Sequence, residues 1–369
     1  MKFSDVIGHS EKKKAFIQSV SNGRVPHAQL FIGNSGWGTL PLALAYAQYV
    51  SCLDRGTEDS CGQCSSCRKY ESLTHPDLHF TFPFPREKGE KCSELISNWR
   101  KALLEHPYMN LTDWMQLLDA EKKQANIPTA EIRDILKSLS LKPYESAFKV
   151  VVIWLPEFLG KEGNILLKAI EEPAHNTLFL LVTENTEKIL GTIISRTQPV
   201  RIAPIDQDSM REYLNRAPEI EKERADRLAQ VSQGDLRNAM QLLSDAESPY
   251  FEMFRYWMGV CVTRKMFSIV PWAEKVGAMS RENLKGFFQY GLELMRGILV
   301  SSYEESLNTW VGKEADFISK FQNLQIPTSQ LEHIIAGMES AMMQIERNAR
   351  APLVLTDLSY VVARNLKKM

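Results

Sequence analysis

The chain has 369 residues, with 44 Lys+Arg against 45 Asp+Glu and a formal charge of -1. Charged residues at 24% and hydrophobic ones at 44% exclude a disordered chain, a coiled coil and a broadly basic protein that coats nucleic acid. The length predicts two or three domains, and no apolar run reaches the roughly 18–20 residues that cross a bilayer.

The start, Met1-Lys2-Phe3-Ser4-Asp5, lacks the charged-then-apolar pattern of a signal peptide, so a cytoplasmic protein with no membrane partner is expected. Ala28–Ile32 reads as a buried strand. It runs into the glycine turn Gly33-Asn34-Ser35-Gly36-Trp37-Gly38-Thr39-Leu40 and then a helix over about 40–50, rich in Ala43, Ala45 and Ala47. Strand, glycine turn and helix are the setting in which a P-loop cradles phosphates. An active P-loop ends in Gly-Lys-Ser/Thr, the Lys neutralising phosphate and the hydroxyl ligating magnesium. Here Thr39 stands in place of the Lys and Leu40 in place of the hydroxyl. Two readings stay open for the turn: geometry alone, or weak anion binding by its amides. Hydrolysis is not expected from it.

Of six cysteines, Cys52, Cys61, Cys64 and Cys67 fall within sixteen residues, while Cys92 and Cys261 stand apart. In a reducing compartment four clustered thiols point to metal before disulfide. Four thiolates make a closed tetrahedral zinc site, structural rather than catalytic. An iron–sulfur cluster and four unconnected thiols are the alternatives. His75, in His75-Pro76-Asp77, is read as a hydrogen-bonded turn residue rather than a further ligand.

Residues 80–126 break the strand–helix rhythm. Phe80-Thr81-Phe82-Pro83-Phe84-Pro85 is held extended by its prolines, and helices are predicted over 92–104 and 111–121. A helix over 129–140 leads to the buried strand Lys149–Trp154. A working NTPase carries one or two carboxylates at the end of that strand. Here Trp154 and Leu155 fill those positions, and Glu157 comes only after Pro156. A helix over 162–171 and the strands Thr177–Thr183 and 199–202 follow, with Ser195, Arg196 and Thr197 just before the last. Beyond Pro204 the pattern is helical, over 206–215, 220–232, 235–246, 280–302, 327–347 and 353–367. Nine of the 14 methionines (253, 258, 266, 279, 295, 338, 342, 343 and 369) lie in this last third, as adaptable core or interface.

In this order the segments resemble the delta-prime subunits of the bacterial DNA polymerase III clamp loader. The likeness is carried by Phe3-Ser4-Asp5-Val6-Ile7-Gly8-His9, by Gly23-Arg24-Val25-Pro26-His27-Ala28-Gln29-Leu30-Phe31-Ile32-Gly33, by the four cysteines, by Asn164-Ile165-Leu166-Leu167-Lys168-Ala169-Ile170-Glu171-Glu172-Pro173 and by Ser195-Arg196. It covers residues 3–80 and 127–245; 81–126 and the C-terminal third match only in helical character.

The resemblance implies an α/β AAA+ module, a P-loop-type parallel sheet, over 1–203. That module carries a zinc module at 52–67 and a family-atypical insertion at 81–126. A helical lid over 204–249 and an all-α collar over 250–369 that joins subunits into a ring are implied to follow. It further implies a structural zinc held by Cys52, Cys61, Cys64 and Cys67, and a degenerate nucleotide loop at Gly33, Gly36, Gly38 and Thr39. Arg196, beside Ser195, would be an arginine finger offered in trans to a neighbour's ATP. Thr197 replaces the family's usual Cys, and Gly234-Asp235-Leu236-Arg237 is similar to the segment bearing the second sensor Arg. The implied partners are the gamma/tau and delta subunits, the sliding clamp indirectly, and primer-template DNA within the complex. A divergent but active AAA+ motor and a zinc-dependent DNA-binding protein are the alternatives, the second disfavoured by the net charge.

Overall fold

β-Branched and aromatic residues concentrate in short runs that alternate with helices through the first half of the chain, and each run becomes a strand. The structure, a computed structural model, describes residues 1–121, 123–174, 176–217, 220, 222–244, 249–303, 310, 312–347 and 349–366. The tips of the predicted 235–246 and 353–367 helices, and Met369, lie outside the described residues. In chain order the elements are α1 (Ser10–Ser21), β1 (Ala28–Ile32), α2 (Thr39–Ser51), α3 (Ser65–Glu71), β2 (Leu78–Thr81), β3 (Phe84–Pro85), α4 (Cys92–Glu105) and α5 (Leu111–Leu117). They continue with β4 (Ala125–Asn126), α6 (Thr129–Leu139), β5 (Lys149–Trp154), α7 (Leu167–Glu171), β6 (Thr177–Thr183), α8 (Gly191–Ile194) and β7 (Gln198–Arg201).

Five strands form one sheet in the order β2-β5-β6-β1-β7, each pair parallel. β5 and β6 are buried along their whole length, as strands covered on both faces must be. Alternation then divides the side chains between two cores. Phe31, Val150, Val152, Trp154, Leu178, Leu180 and Val182 point to one face. Leu30, Val151, Ile153, Phe179 and Leu181 point to the other, where Ile132, Ile135 and Leu139 of α6 cover them. α2 lies on the first face with all thirteen residues buried.

The segment 81–126 contributes to this first core rather than hanging from it. Phe82 stacks on Trp99 with ring centroids 4.2 Å apart, and Trp99 meets Trp114 at 5.1 Å and Trp154 at 5.0 Å. Trp114 Nε1 donates to Pro83 O at 2.9 Å, so the prolines that keep the chain extended also expose an acceptor for it.

Three local expectations differ from what forms. Leu78–Thr81 is an edge strand of the main sheet; four residues interrupted by His79 carry too little apolar pattern to announce it. The helix expected to run to 121 stops at Leu117, because Asp119 takes a left-handed backbone (φ 50°). Over 162–171 only Leu167–Glu171 is α-helical; Pro156–Leu166 makes 3-10 turns broken at Gly160 (φ 54°).

Three further helices, α9 (Gln207–Leu214), α10 (Lys222–Val231) and α11 (Leu236–Ser244), complete the first of two compact units, Met1–Gln241, the end of α11 passing into the second. The second unit, Leu242–Met369, is built from α12 (Pro249–Thr263), α13 (Ile269–Gly277), α14 (Arg281–Tyr303), α15 (Gly312–Gln322), α16 (Thr328–Glu346) and α17 (Ala351–Asn365). It has its own core around Phe254, Trp257, Trp272 and Phe287. Met258, Met295 and Met338 are buried in it, whereas Met343 is exposed.

Candidate functional site

The turn after β1 emerges at the carboxyl edge of the sheet, beside the point where the chain leaves β1 for an edge strand. This is where open parallel sheets bind ligands. Gly38 begins α2 with φ 86°, which favours glycine. Tyr108, from the α4–α5 connection, lies against Gly38, so that a β-carbon there would stand 3.0 Å from its ring. The Tyr108 hydroxyl also accepts the Ile7 N–H at 3.1 Å. His9 Nε2 lies 2.7 Å from Trp37 O.

Thr39 and Leu40 do not face an open cradle. Thr39 is 1% exposed, and its Oγ1 donates back to Asn34 O at 3.1 Å, closing the turn on itself. Leu40 is buried in the core. Neither offers the cation or the magnesium ligand that triphosphate chemistry uses. At the end of β5, Trp154 and Leu155 are buried too, Trp154 being held by the α4 aromatic cluster.

What stands around the turn is acidic. Ser35 Oγ donates to Glu184, the residue after β6. Glu157 accepts from Thr183 Oγ1 at 3.0 Å and from the Glu184 N–H at 3.4 Å. Desolvation of its carboxyl, and then the neighbouring Glu157, lift Glu184 to about 6 although the residue keeps solvent contact. Burial likewise raises Glu157. From the other side Asp235 presses its carboxylate against Gly36, so closely that a β-carbon at position 36 would collide with it. Asp235 Oδ1 is fixed there by the Asn238 N–H at 2.9 Å. Arg237 turns to α5, where Nε and Nη2 reach the two oxygens of Asp113 at 2.5 and 2.7 Å. Sequence reasoning missed Glu184, Tyr108 and Asp113, for no local spacing ties them to the turn.

Arg196 lies elsewhere. Ile32 pairs with Arg201 at the carboxyl ends of β1 and β7, and Gln29 with Gln198 near their beginnings. Arg196 precedes β7, so it sits at the edge of the sheet opposite its own glycine turn. Its guanidinium pairs with Glu171 and donates to Thr192 O at 3.0 Å and Ser195 Oγ at 3.3 Å. About a third of its side chain is exposed (34%), which leaves it reachable from outside.

The four cysteines converge between α2 and α3. Their sulfurs all lie within 4.8 Å of one another, with Cys52–Cys61 at 3.6 Å and Cys61–Cys67 at 3.9 Å. Zn–S bonds of about 2.3 Å in a tetrahedron place sulfurs roughly 3.8 Å apart, so this donor set fits zinc. Amides already point at the sulfurs: Cys61 N–H donates to Cys52 Sγ, Cys64 N–H to Cys61 Sγ and Cys67 N–H to Cys64 Sγ, each at 3.3 Å. Burial raises the Cys64 thiol, but the amides of Cys67 and Leu53 outweigh it and bring it down to about 6. Arg55 clamps the approach by donating to Cys52 O and Val50 O. His75 is not among the ligands; its Nδ1 accepts the Asp77 N–H at 3.1 Å. No helix among the described residues is long and apolar enough to cross a membrane.

The sequence model of the family described as DNA polymerase III, delta subunit, matches residues 8–206, just over half the chain. The chain is 28% identical over 202 residues to DNA polymerase III subunit delta' of Bacillus subtilis, covering 54% of this chain and 49% of that protein. It is 27% identical over 207 residues to subunit delta' of Haemophilus influenzae, covering 56% and 51%. Against DNA polymerase III subunit tau of Escherichia coli it is 28% identical over 250 residues, covering 66% of this chain and 33% of that protein. The chain thus spans about half or less of the length of these curated relatives.

Proposed function

The chain belongs to the DNA polymerase III delta subunit family, and from that premise we propose that it is a delta-prime-like subunit of the clamp loader that does not itself hydrolyse ATP. The observation that carries this reading is the glycine turn. Thr39 is spent on Asn34 O, Leu40 is buried, and the carboxylates of Glu184 and Asp235 crowd the cradle where phosphate charge would have to sit. Carboxylates there repel a polyphosphate instead of neutralising it. Trp154 and Leu155 at the end of β5 remove the magnesium ligand as well.

In this role the chain helps load the sliding clamp onto primed DNA together with gamma/tau and delta subunits. Residues 204–249 serve as a lid and 250–369 as a collar. The Cys52, Cys61, Cys64 and Cys67 site holds a structural zinc with no open position for water. Arg196 acts in trans. Its place on the edge opposite its own turn supports a finger aimed at a neighbour, and a phosphate oxygen can take the place of Glu171 on its guanidinium.

The test mixes the chain with its cognate gamma/tau and delta subunits and follows assembly and DNA-stimulated ATPase. Arg196→Ala is expected to assemble normally while turnover at the one site it serves falls on the order of a hundredfold. Loss of assembly instead makes Arg196 a structural residue. A second reading, a gamma/tau-like motor, draws on the length of the match to tau. ATP hydrolysis by the isolated chain, abolished by substituting Gly38 and Thr39, would establish it and remove the first.

A further inference from the structure

The segment 81–126 and the helices after Pro204 meet at a charged contact that the role above does not require. Arg237, in the first turn of α11, forks onto Asp113 in the first turn of α5, at 2.5 and 2.7 Å, across 124 residues of sequence. Both side chains are about 30% exposed, so the pair is partly screened from water. Asp113 is itself held, because its Oδ2 accepts the Asn110 N–H at 3.0 Å and its own N–H donates to Asn110 Oδ1 at 3.0 Å. Two residues back, Asp235 fills the space over Gly36 while capping α11. Gly234, at φ 79°, lets the chain pass so close to Pro204 and Ile205 that no side chain fits there, and its carbonyl accepts the Ile205 N–H at 3.0 Å. Tyr108, from the same α4–α5 connection, covers Gly38.

Asp235 and Tyr108 thus close over Gly36 and Gly38 from the helices after Pro204 and from the α4–α5 connection, and Arg237–Asp113 ties those two segments to each other. We propose that Asp113 is a built-in counter-ion that latches Arg237, and with it α9–α11, over the 33–38 turn, so that this helical segment keeps one orientation without nucleotide. The latch rests on the reading of the chain as a subunit that does not cycle ATP. It adds what holds the segment in place and gives the 81–126 insertion a task. A carboxylate that is part of the chain cannot dissociate or be hydrolysed, so the contact needs no bound ligand to persist.

The test is hydrogen exchange on the isolated full-length chain, where neither assembly nor the ATPase of other subunits enters. Asp113→Asn keeps an acceptor for the α5 cap but loses the charge. It is expected to speed exchange of the α9–α11 amides about ten- to hundredfold, the range of a charge-assisted pair, with β5 and β6 unchanged. Arg237→Lys, which keeps the charge and loses the fork, should give a smaller increase. The swap Asp113→Arg with Arg237→Asp should bring protection back toward the wild type. Millimolar Mg-ATP should leave the wild-type pattern as it is. Unchanged α9–α11 exchange in both single variants overturns the latch. So does an increase that extends equally to β5 and β6, or slower α9–α11 exchange when ATP is added. These outcomes are independent of whether Arg196 serves a neighbour.

Discussion

Asp77 shows how much a single buried side chain arranges. It is 2% exposed, and its carboxylate accepts the N–H groups of Tyr144, Glu145 and Ser146 at 2.6, 2.9 and 2.8 Å, fixing the loop that leads into β5. Burial works against the charge, but the three amides outweigh it and hold the carboxyl below its ordinary value of 3.8. A depressed carboxyl stabilises the fold above its unfolded pKa and loses that contribution as pH falls through the folded one. Asp77→Asn is therefore expected to cost about 2 kcal/mol at neutral pH. The gap between variant and wild type should close progressively below pH 3.8, read from urea titrations at a series of pH values. A gap that stays constant down to strong acid would show that the charge is not what matters. Glu184 has the opposite sign. Lifted to about 6, it favours the folded state when protonated, and its contribution declines as pH rises through that value.

At the scale of elements, α4 and α5 decide the character of the first core. Trp99 is fully buried and touches Phe80, Phe82, Trp114 and Trp154, which links the 81–126 segment to the end of β5. That contact explains why an aromatic stands where an ATPase carries an acid: the strand end is packed, not solvated. Trp99→Ala should destabilise the first unit by about 3–5 kcal/mol. Trp99→Phe, which keeps an aromatic ring and gives up an indole N–H that has no partner among the described residues, should cost less than Trp99→Ala. Equal losses for the two variants, measured by thermal melting, would remove ring packing as the cause.

Across the whole molecule there are two units with separate cores, and the metal-fitting cysteines belong to the first. Metal bound by the folded state alone adds its binding free energy to folding. Chelation of zinc, or Cys64→Ser, is expected to lower the melting transition of the first unit while that of the second stays in place. Calorimetry alongside metal analysis checks this; a purified chain with less than one zinc, or a melt indifferent to chelation, contradicts it.

The strands β1, β5 and β6, the glycine turn with its missing lysine and the four clustered thiols were legible in the sequence. Each depends on neighbours a few residues apart, where alternation, backbone freedom and ligand spacing act directly. Leu78–Thr81 was not legible, because a four-residue edge strand is specified by its pairing with β5 rather than by its own pattern. Nor were the contacts that fill the turn. Arg237 and Asp113, Gly36 and Asp235, Ser35 and Glu184, and Trp154 and Trp99 are far apart in sequence, and only the order of strands and helices brings them together. By itself the sequence determined that the glycine turn ends in Thr39 and Leu40 without a lysine, and β5 in Trp154 and Leu155 without a carboxylate, since residue identity is a local fact. The tertiary structure alone decided what stands in their place, because a charged or aromatic side chain acquires its partner only when the chain has closed around it.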